Sequence, residues 1–133
     1  MTNQLVIGSR KGLFTYTKNN TGMWQQASHD FKGDPVGQIL IDQRNSHWYA
    51  GLNLGHFGTK LQKSENKGKT WQEIKSPQFE KTDEDKEEAP SVEQIWSIVE
   101  AYPEQTDSLW LGTIPGGLFF SKDGGQSWSL HHL

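Results

Sequence analysis

Two segments of this chain spell the same short pattern, and that pattern fits little besides a tight turn between antiparallel strands. Ser64-Glu65-Asn66-Lys67-Gly68-Lys69-Thr70-Trp71 and Ser121-Lys122-Asp123-Gly124-Gly125-Gln126-Ser127-Trp128 both read S-x-[DN]-x-G-x-[ST]-W. An Asp or Asn side chain accepts bonds from nearby backbone N–H groups and tolerates left-handed backbone. Gly takes positive φ with no steric penalty. Ser or Thr at either end can tie the two strands, and Trp is expected to open the next strand with its ring beside the turn. A third, degenerate copy runs from Thr17 to Trp24; it keeps Asn19 and Trp24, with its Gly displaced by one. A constant offset without gaps superposes Gly8 on Gly112, Gly12 on Gly116, Thr17 on Ser121 and Trp24 on Trp128. The motif residues are therefore read as structural: Asn19 and Trp24; Ser64, Asn66, Gly68, Thr70 and Trp71; Ser121, Asp123, Gly125, Ser127 and Trp128.

The same strand series precedes each full copy. Gly37–Asp42, His47–Leu52 and Thr59–Ser64 lead into the first, and Glu93–Glu100, Ser108–Thr113 and Gly117–Ser121 into the second. A strand led by the motif Trp follows each, over Trp71–Lys75 and Ser127–Leu130. Short strands at even spacing, four to a unit, are the pattern of a β-propeller blade. The first unit has Gln4–Gly8, Leu13–Thr17 and Trp24–Ser28 with no strand ahead of them. The expected fold is all-β, an incomplete propeller of four-stranded antiparallel blades, about three in this chain. Blade one covers 1–35 and lacks its innermost strand, blade two covers 36–76, an acidic loop covers 77–91, and blade three covers 92–133. Rings usually have about 4–8 blades, so either a longer parent chain or a homo-oligomer is expected to complete this one.

Composition narrows the partners. The net charge is −3, and Arg10 and Arg44 are the only arginines. No basic patch supports nucleic-acid binding. No stretch nears the roughly 18 apolar residues of a membrane span, and the apolar start, Leu5–Ile7, is too short for a signal-peptide core. There is no Cys, so disulfides and thiolate metal sites are out, and a cytoplasmic location fits. Six Trp and six Phe can build a core from few residues, since each large aromatic buries about 150–250 Å². Nothing in the sequence asks for a cofactor.

With the motif and its flanking strands in view, the chain resembles the Asp-box (bacterial neuraminidase repeat) superfamily. In particular it resembles bacterial WD40/YVTN/BNR-like repeat proteins and sialidase-like "glycosyl hydrolase" proteins. Ser9-Arg10-Lys11-Gly12-Leu13-Phe14 looks like their opening strand. Ile95-Trp96-Ser97-Ile98, Leu111-Gly112-Thr113 and Pro115-Gly116-Gly117-Leu118-Phe119 look like a characteristic blade. The resemblance implies the propeller fold and leaves activity open, because fold does not fix function. Sialidases of this superfamily use three arginines, a Tyr–Glu pair and an Asp acid/base. Two arginines cannot form that triad, so the chain is read as leaning away from an enzyme. A general glycosidase needs two carboxylates about 5–9.5 Å apart, and no spacing singles out a pair among Asp30, Asp34, Asp42, Glu93, Glu100, Glu104 and Asp107.

In superfamily enzymes the active site lies on the face opposite the motif turns. The loops expected there are Ser9–Lys11, His29–Val36, Asn53–Gly58, Ser76–Val92 and Ile114–Gly116. The ligand-binding candidates are Arg10, Asp34, Asn53, His56 and Trp96. Asn53–Gly58 is the loop lengthened relative to the other blades, and extra loop length often carries function. His56 is either a ligand or base, or an exposed loop His. His29, Asp30 and Asp34 form a polar group that could join His56 around a metal, though no metal-spacing motif marks one. Arg10 with Lys11 could hold an anion or simply form a solvated turn. Trp96 could stack on a sugar from an innermost strand or pack between blades. The charged run Glu80–Glu88 reads as a solvated loop. The leading expectation is a ligand- or partner-binding scaffold module, with a carbohydrate or small molecule as ligand. The alternatives are a fragment of a sialidase-like glycoside hydrolase, or a truncated product without independent function.

Overall fold

The computed structural model describes residues 3–80 and 89–132; most of the Glu80–Glu88 run lies outside the described residues. Three antiparallel sheets follow one another along the chain, each a meander in sequence order. The first comprises β1 (Gln4–Ser9), β2 (Gly12–Lys18) and β3 (Trp24–Asp30). The second comprises β4 (Val36–Ile41), β5 (Trp48–Asn53), β6 (Thr59–Ser64) and β7 (Gln72–Ile74). The third comprises β8 (Gln94–Tyr102), β9 (Gln105–Ile114), β10 (Gly117–Ser121) and β11 (Ser129–Leu130). Among the described residues the only helical turn is the 3-10 turn Gly55–Phe57, and no helix is long and apolar enough to cross a membrane.

Each strand expected from the sequence coincides with an observed one, with two instructive differences. Trp71 and Trp128 do not lead strands: β7 begins at Gln72 and β11 at Ser129. Their rings turn sideways onto the preceding elements. Trp128 Nε1 donates to the Lys75 carbonyl (2.8 Å), and the Trp71 ring meets Phe31 edge-on at 5.1 Å. The gapless offset between the first and last units also slips. Ser9 pairs with Gly12, whereas Thr113 pairs with Gly117. Gly12 therefore corresponds to Gly117 and not to Gly116, because the β1–β2 turn is one residue shorter.

The motif turns are closed by their own side chains. Asn66 Oδ1 accepts the Thr70 N–H (2.9 Å) and the Ser64 hydroxyl (2.9 Å), and its Nδ2 donates to Thr70 Oγ1 (2.7 Å). Asp123 Oδ1 accepts the Ser127 N–H (2.9 Å) and the Ser121 hydroxyl (2.8 Å), and Oδ2 accepts the Ser127 hydroxyl. Ser64 and Ser121 each accept a Gly N–H four residues on, from Gly68 and Gly125 (2.8 Å each). In the degenerate turn Asn19 Oδ1 accepts the N–H groups of Thr21 and Met23. Gly68 and Gly125 sit at φ 82° and 90°. A Cβ on Gly68 would also fall 2.7 Å from the Trp48 ring, and one on Gly125 would fall 2.6 Å from Ile74 Cδ1. Both conformation and contact therefore demand glycine.

The core lies between sheets. Leu13, Val36, Ala50 and Leu52 pack the first sheet on the second. Tyr49 and Leu61 pack against Ile95, Ile98, Leu109, Leu111 and Phe119 to join the second to the third. The second joint carries a polar clamp. Asp42, wholly buried, ends the β4 side of the β4–β5 turn, and Arg44 returns to it in a two-pronged pair, Nε to Oδ1 (2.9 Å) and Nη2 to Oδ2 (2.7 Å). The remaining Arg44 donors cross to the third sheet, to the carbonyls of Tyr102 (2.9 Å), Gln105 (2.8 Å) and Ser108 (2.8 Å). Burial raises the Asp42 carboxyl, and the hydrogen bonds and charge of Arg44 more than reverse that, leaving it below its ordinary value. Desolvation likewise raises the Asp123 carboxyl, and its Ser127 and Ser121 hydrogen bonds together outweigh that and hold it below its ordinary value.

Arg44→Ala is expected to destabilise the chain by about 3–5 kcal/mol, because it strands a buried carboxylate and orphans three carbonyls; urea unfolding measures this. Both depressed carboxylates bind fewer protons folded than unfolded. Their contribution is complete above the unfolded value of about 3.9 and is lost as pH falls through the lower folded values. Urea midpoints should therefore fall steeply below about pH 4, and Asp42→Asn should be less stable at neutral pH with a shallower acid limb.

Candidate functional site

A meander alternates its turns between two ends of the sheet. The motif turns, the Asp42–His47 turn and the β8–β9 turn share one end. The other end gathers the β1–β2 turn, the loop after β3, the Leu54–Gly58 loop, the described residues 75–80 and 89–93 between β7 and β8, and Pro115–Gly116.

The structure distributes the sequence candidates over this second end unevenly. Arg10 is exposed on the β1–β2 turn. Asp34 and Asn53 line a concavity of about 720 Å³ with Pro35, Leu54, Phe57 and Lys60. His56 is exposed on the 3-10 turn, its ring edge-on to Phe57 at 6.1 Å. Trp96 is 59% exposed and is not part of that lining. It is the extra residue of a bulge in β8, between Ile95 paired with Thr113 and Ser97 paired with Gly112. A bulge re-aims the side chain it carries. Gly37 is the extra residue at the same place in β4.

Two expected loop residues are structural parts of strands. Asn53 is the last residue of β5, and His29 belongs to β3. Asn53 Oδ1 accepts the Ile95 N–H of the third sheet at 3.0 Å, and its amide occupies the space a Cβ on Gly37 would need, 2.4 Å away. It thus clips two sheets together at the rim of the concavity. His29 Nε2 bonds the Lys11 carbonyl at 2.8 Å, and its ring stacks on Phe14 at 4.1 Å. Among the described residues no three His, Asp or Glu side chains converge as a metal site, so His29, Asp30, Asp34 and His56 do not form one.

Sequence reasoning missed Phe57. It is 85% exposed, and it also borders a second concavity of about 410 Å³, whose wall includes Thr59, Ser76, Pro77, Phe79 and Val92. Phe57 is therefore a ridge between two hollows. Its signal in the sequence is Gly55-His56-Phe57-Gly58, a large apolar ring between two glycines in a lengthened loop.

No family model matches the chain, and no curated protein matches it. It is similar in structure to a solved protein described as YCF48 bound to D1 peptide, with 14% sequence identity and a TM-score of 0.59. The match covers 96% of this chain and 37% of that one. At this identity the likeness bears on fold alone. The chain is an incomplete β-propeller. It spans little more than a third of the length of the protein it matches.

The Asn53 clip has a measurable consequence. Asn53→Ala is expected to lower stability by about 1–3 kcal/mol, since it leaves the buried Ile95 N–H without its acceptor. Asn53→Asp keeps an acceptor and should lose less. Thermal unfolding of the two variants beside the parent compares them.

Proposed function

We propose that this chain is a binding and scaffold module of the Asp-box type, and that it takes an extended segment of a partner polypeptide across the face opposite its motif turns. The observation that carries this reading is Phe57. A large apolar side chain 85% exposed between hollows of about 720 and 410 Å³ is the arrangement of an anchor for a partner. Binding energy concentrates on such aromatic anchors, with polar groups around them. Asp34 and Lys60 supply opposite charges beside the first hollow, suited to a chain with both donors and acceptors. The peptide named in the description of the similar solved structure supports a polypeptide as the class of partner. A carbohydrate is the second reading; the half-exposed Trp96 ring favours it, since aromatic faces stack on sugars.

Selection of a displayed random peptide library against the chain supplies the probe. Selected peptides are expected to bind Phe57→Ala at least about tenfold more weakly, in keeping with the loss of a hot-spot residue, and to bind Trp96→Ala as well as the parent. Peptides that bind Phe57→Ala unchanged would overturn this reading. Glycan-array binding that Trp96→Ala abolishes would favour the carbohydrate instead.

A further inference from the structure

The acidity of this chain is concentrated in one stretch. Residues 80–88 hold six acids and two lysines, a net −4 against −3 for the whole chain, so all other residues together sum to +1. Both ends of the run are fixed at the second hollow. Phe79, immediately before it, lines that hollow and packs on the Phe119 ring at 5.3 Å, and Ala89, immediately after it, lines the same hollow. No residue of the run is more than five positions from one of these anchors, and five residues of chain reach at most about 18 Å. The charge of the run is therefore tied to this rim.

The hollows themselves are nearly neutral. Both are walled by residues of this chain, from the loop after β3 to the segment ahead of β8. The described residues lining the second carry no charge, and Lys75 and Glu93, exposed on either side of that wall, cancel. The first hollow has two charged groups, Asp34 and Lys60, and they are not equally free. Lys60 Nζ lies 3.4 Å from Glu73 Oε1, whereas the exposed Asp34 carboxylate has no ion pair among the described residues. Arg10, Lys11 and Lys32 stand at the same end of the sheets, and none of them lines either hollow. The charge left for a partner to answer is thus negative on both sides of Phe57: one carboxylate at the first hollow, and a net −4 tethered at the second.

We infer that the partner segment taken up at the Phe57 ridge is basic: an extended stretch with an apolar side chain against Phe57 and Lys or Arg on either side of it, one answering Asp34 and the others answering the charge of residues 80–88. This deepens, and rests on, the reading of that face as a docking surface for polypeptide. The two kinds of contact divide the work. The aromatic anchor holds the bound segment and governs how slowly it leaves. Exposed charges at a rim act on how fast the partners meet, and salt screens them over a Debye length of about 8 Å at physiological ionic strength. The same charges repel an acidic segment, so the rim also discriminates.

Peptides selected on the parent chain from a displayed random library, and then made synthetically, are the probes. Their association and dissociation rates are measured on the parent, on Phe57→Ala, on Asp34→Asn, and on a chain carrying Asp83→Asn, Glu84→Gln, Asp85→Asn and Glu87→Gln, which leave the run without net charge. Thermal unfolding confirms that each variant is folded. The selected peptides are expected to carry net positive charge. Neutralising the run should slow association at least about threefold at about 0.05 M NaCl and leave dissociation unchanged, and about 0.5 M NaCl should remove that difference. Asp34→Asn should weaken binding about two- to fivefold, the worth of one exposed ion pair. Peptides that lose affinity on Phe57→Ala but are neutral or acidic, or that associate with the neutralised chain as fast as with the parent, would overturn this inference and leave the docking surface standing. Peptides indifferent to Phe57→Ala would overturn the docking surface itself, and this inference with it.

Discussion

The Arg44 guanidinium holds the joint on which the described geometry rests. It closes on Asp42 within its own sheet and spends its remaining donors on three carbonyls of the third. A buried ion pair is weak evidence for stability in itself, because desolvation offsets most of the Coulomb gain. Its value here is in direction. The Arg fork is planar and matches a carboxylate on one side, so its outward donors are fixed in space once that pair forms. The β8–β9 hairpin can then dock in one position. Asn45 Nδ2 on the Thr106 carbonyl and Glu100 on the Gln43 N–H add bonds across the same junction. At the opposite end Asn53 on the Ile95 N–H does the matching work. Apolar packing between the sheets supplies most of the driving force, and these polar contacts at both ends fix the register in which it is realised.

That division explains which parts of the fold could be read in the residues. The motif turns are local: each Asp or Asn bonds groups within four residues of itself, so the pattern alone predicts the turn and the strands beside it. Strand edges were blurred where a side chain prefers a distant partner to its own ladder, as Trp128 does with the Lys75 carbonyl. The gapless offset failed for a similar reason. One residue more or less in a hairpin turn leaves the spacing of glycines plausible in sequence, yet it moves every later side chain of the strand to a different partner. Arg44 was read as one of too few arginines for an anion triad. Its carboxylate partner Asp42 is two positions away, but the three carbonyls it reaches lie about sixty positions away, and nothing near it in the chain announces them.

The candidate site was legible in outline and not in detail. Alternation of turns places the lengthened Asn53–Gly58 loop opposite the motif turns, and the concavity forms there. Chemistry-bearing side chains misled within that outline. Asn53 looked like a free polar group at a loop and is an inter-sheet clip. His29 looked available and is held between Phe14 and the Lys11 carbonyl. A polar residue near a pocket has two claims on it, from the ligand and from unsatisfied backbone, and buried backbone presses the second claim hard because an unmade bond there costs about 1–3 kcal/mol. An exposed Phe has no such competing claim.

This asymmetry bears on how incomplete propellers should be examined. In a repeat architecture each unit answers the same packing problem, so a residue that departs from its equivalents within one chain is informative without any alignment of other chains. Gly37 and Trp96 occupy the same bulge in successive sheets, one with no side chain and one with the largest. Asn53 fills the space over Gly37, so glycine there is enforced by the clip between sheets. The residue corresponding to Asn53 in the third sheet is Ile114, which is 37% exposed and offers no amide to claim that space. Trp96 is therefore permitted at the bulge because the third sheet lacks the clip.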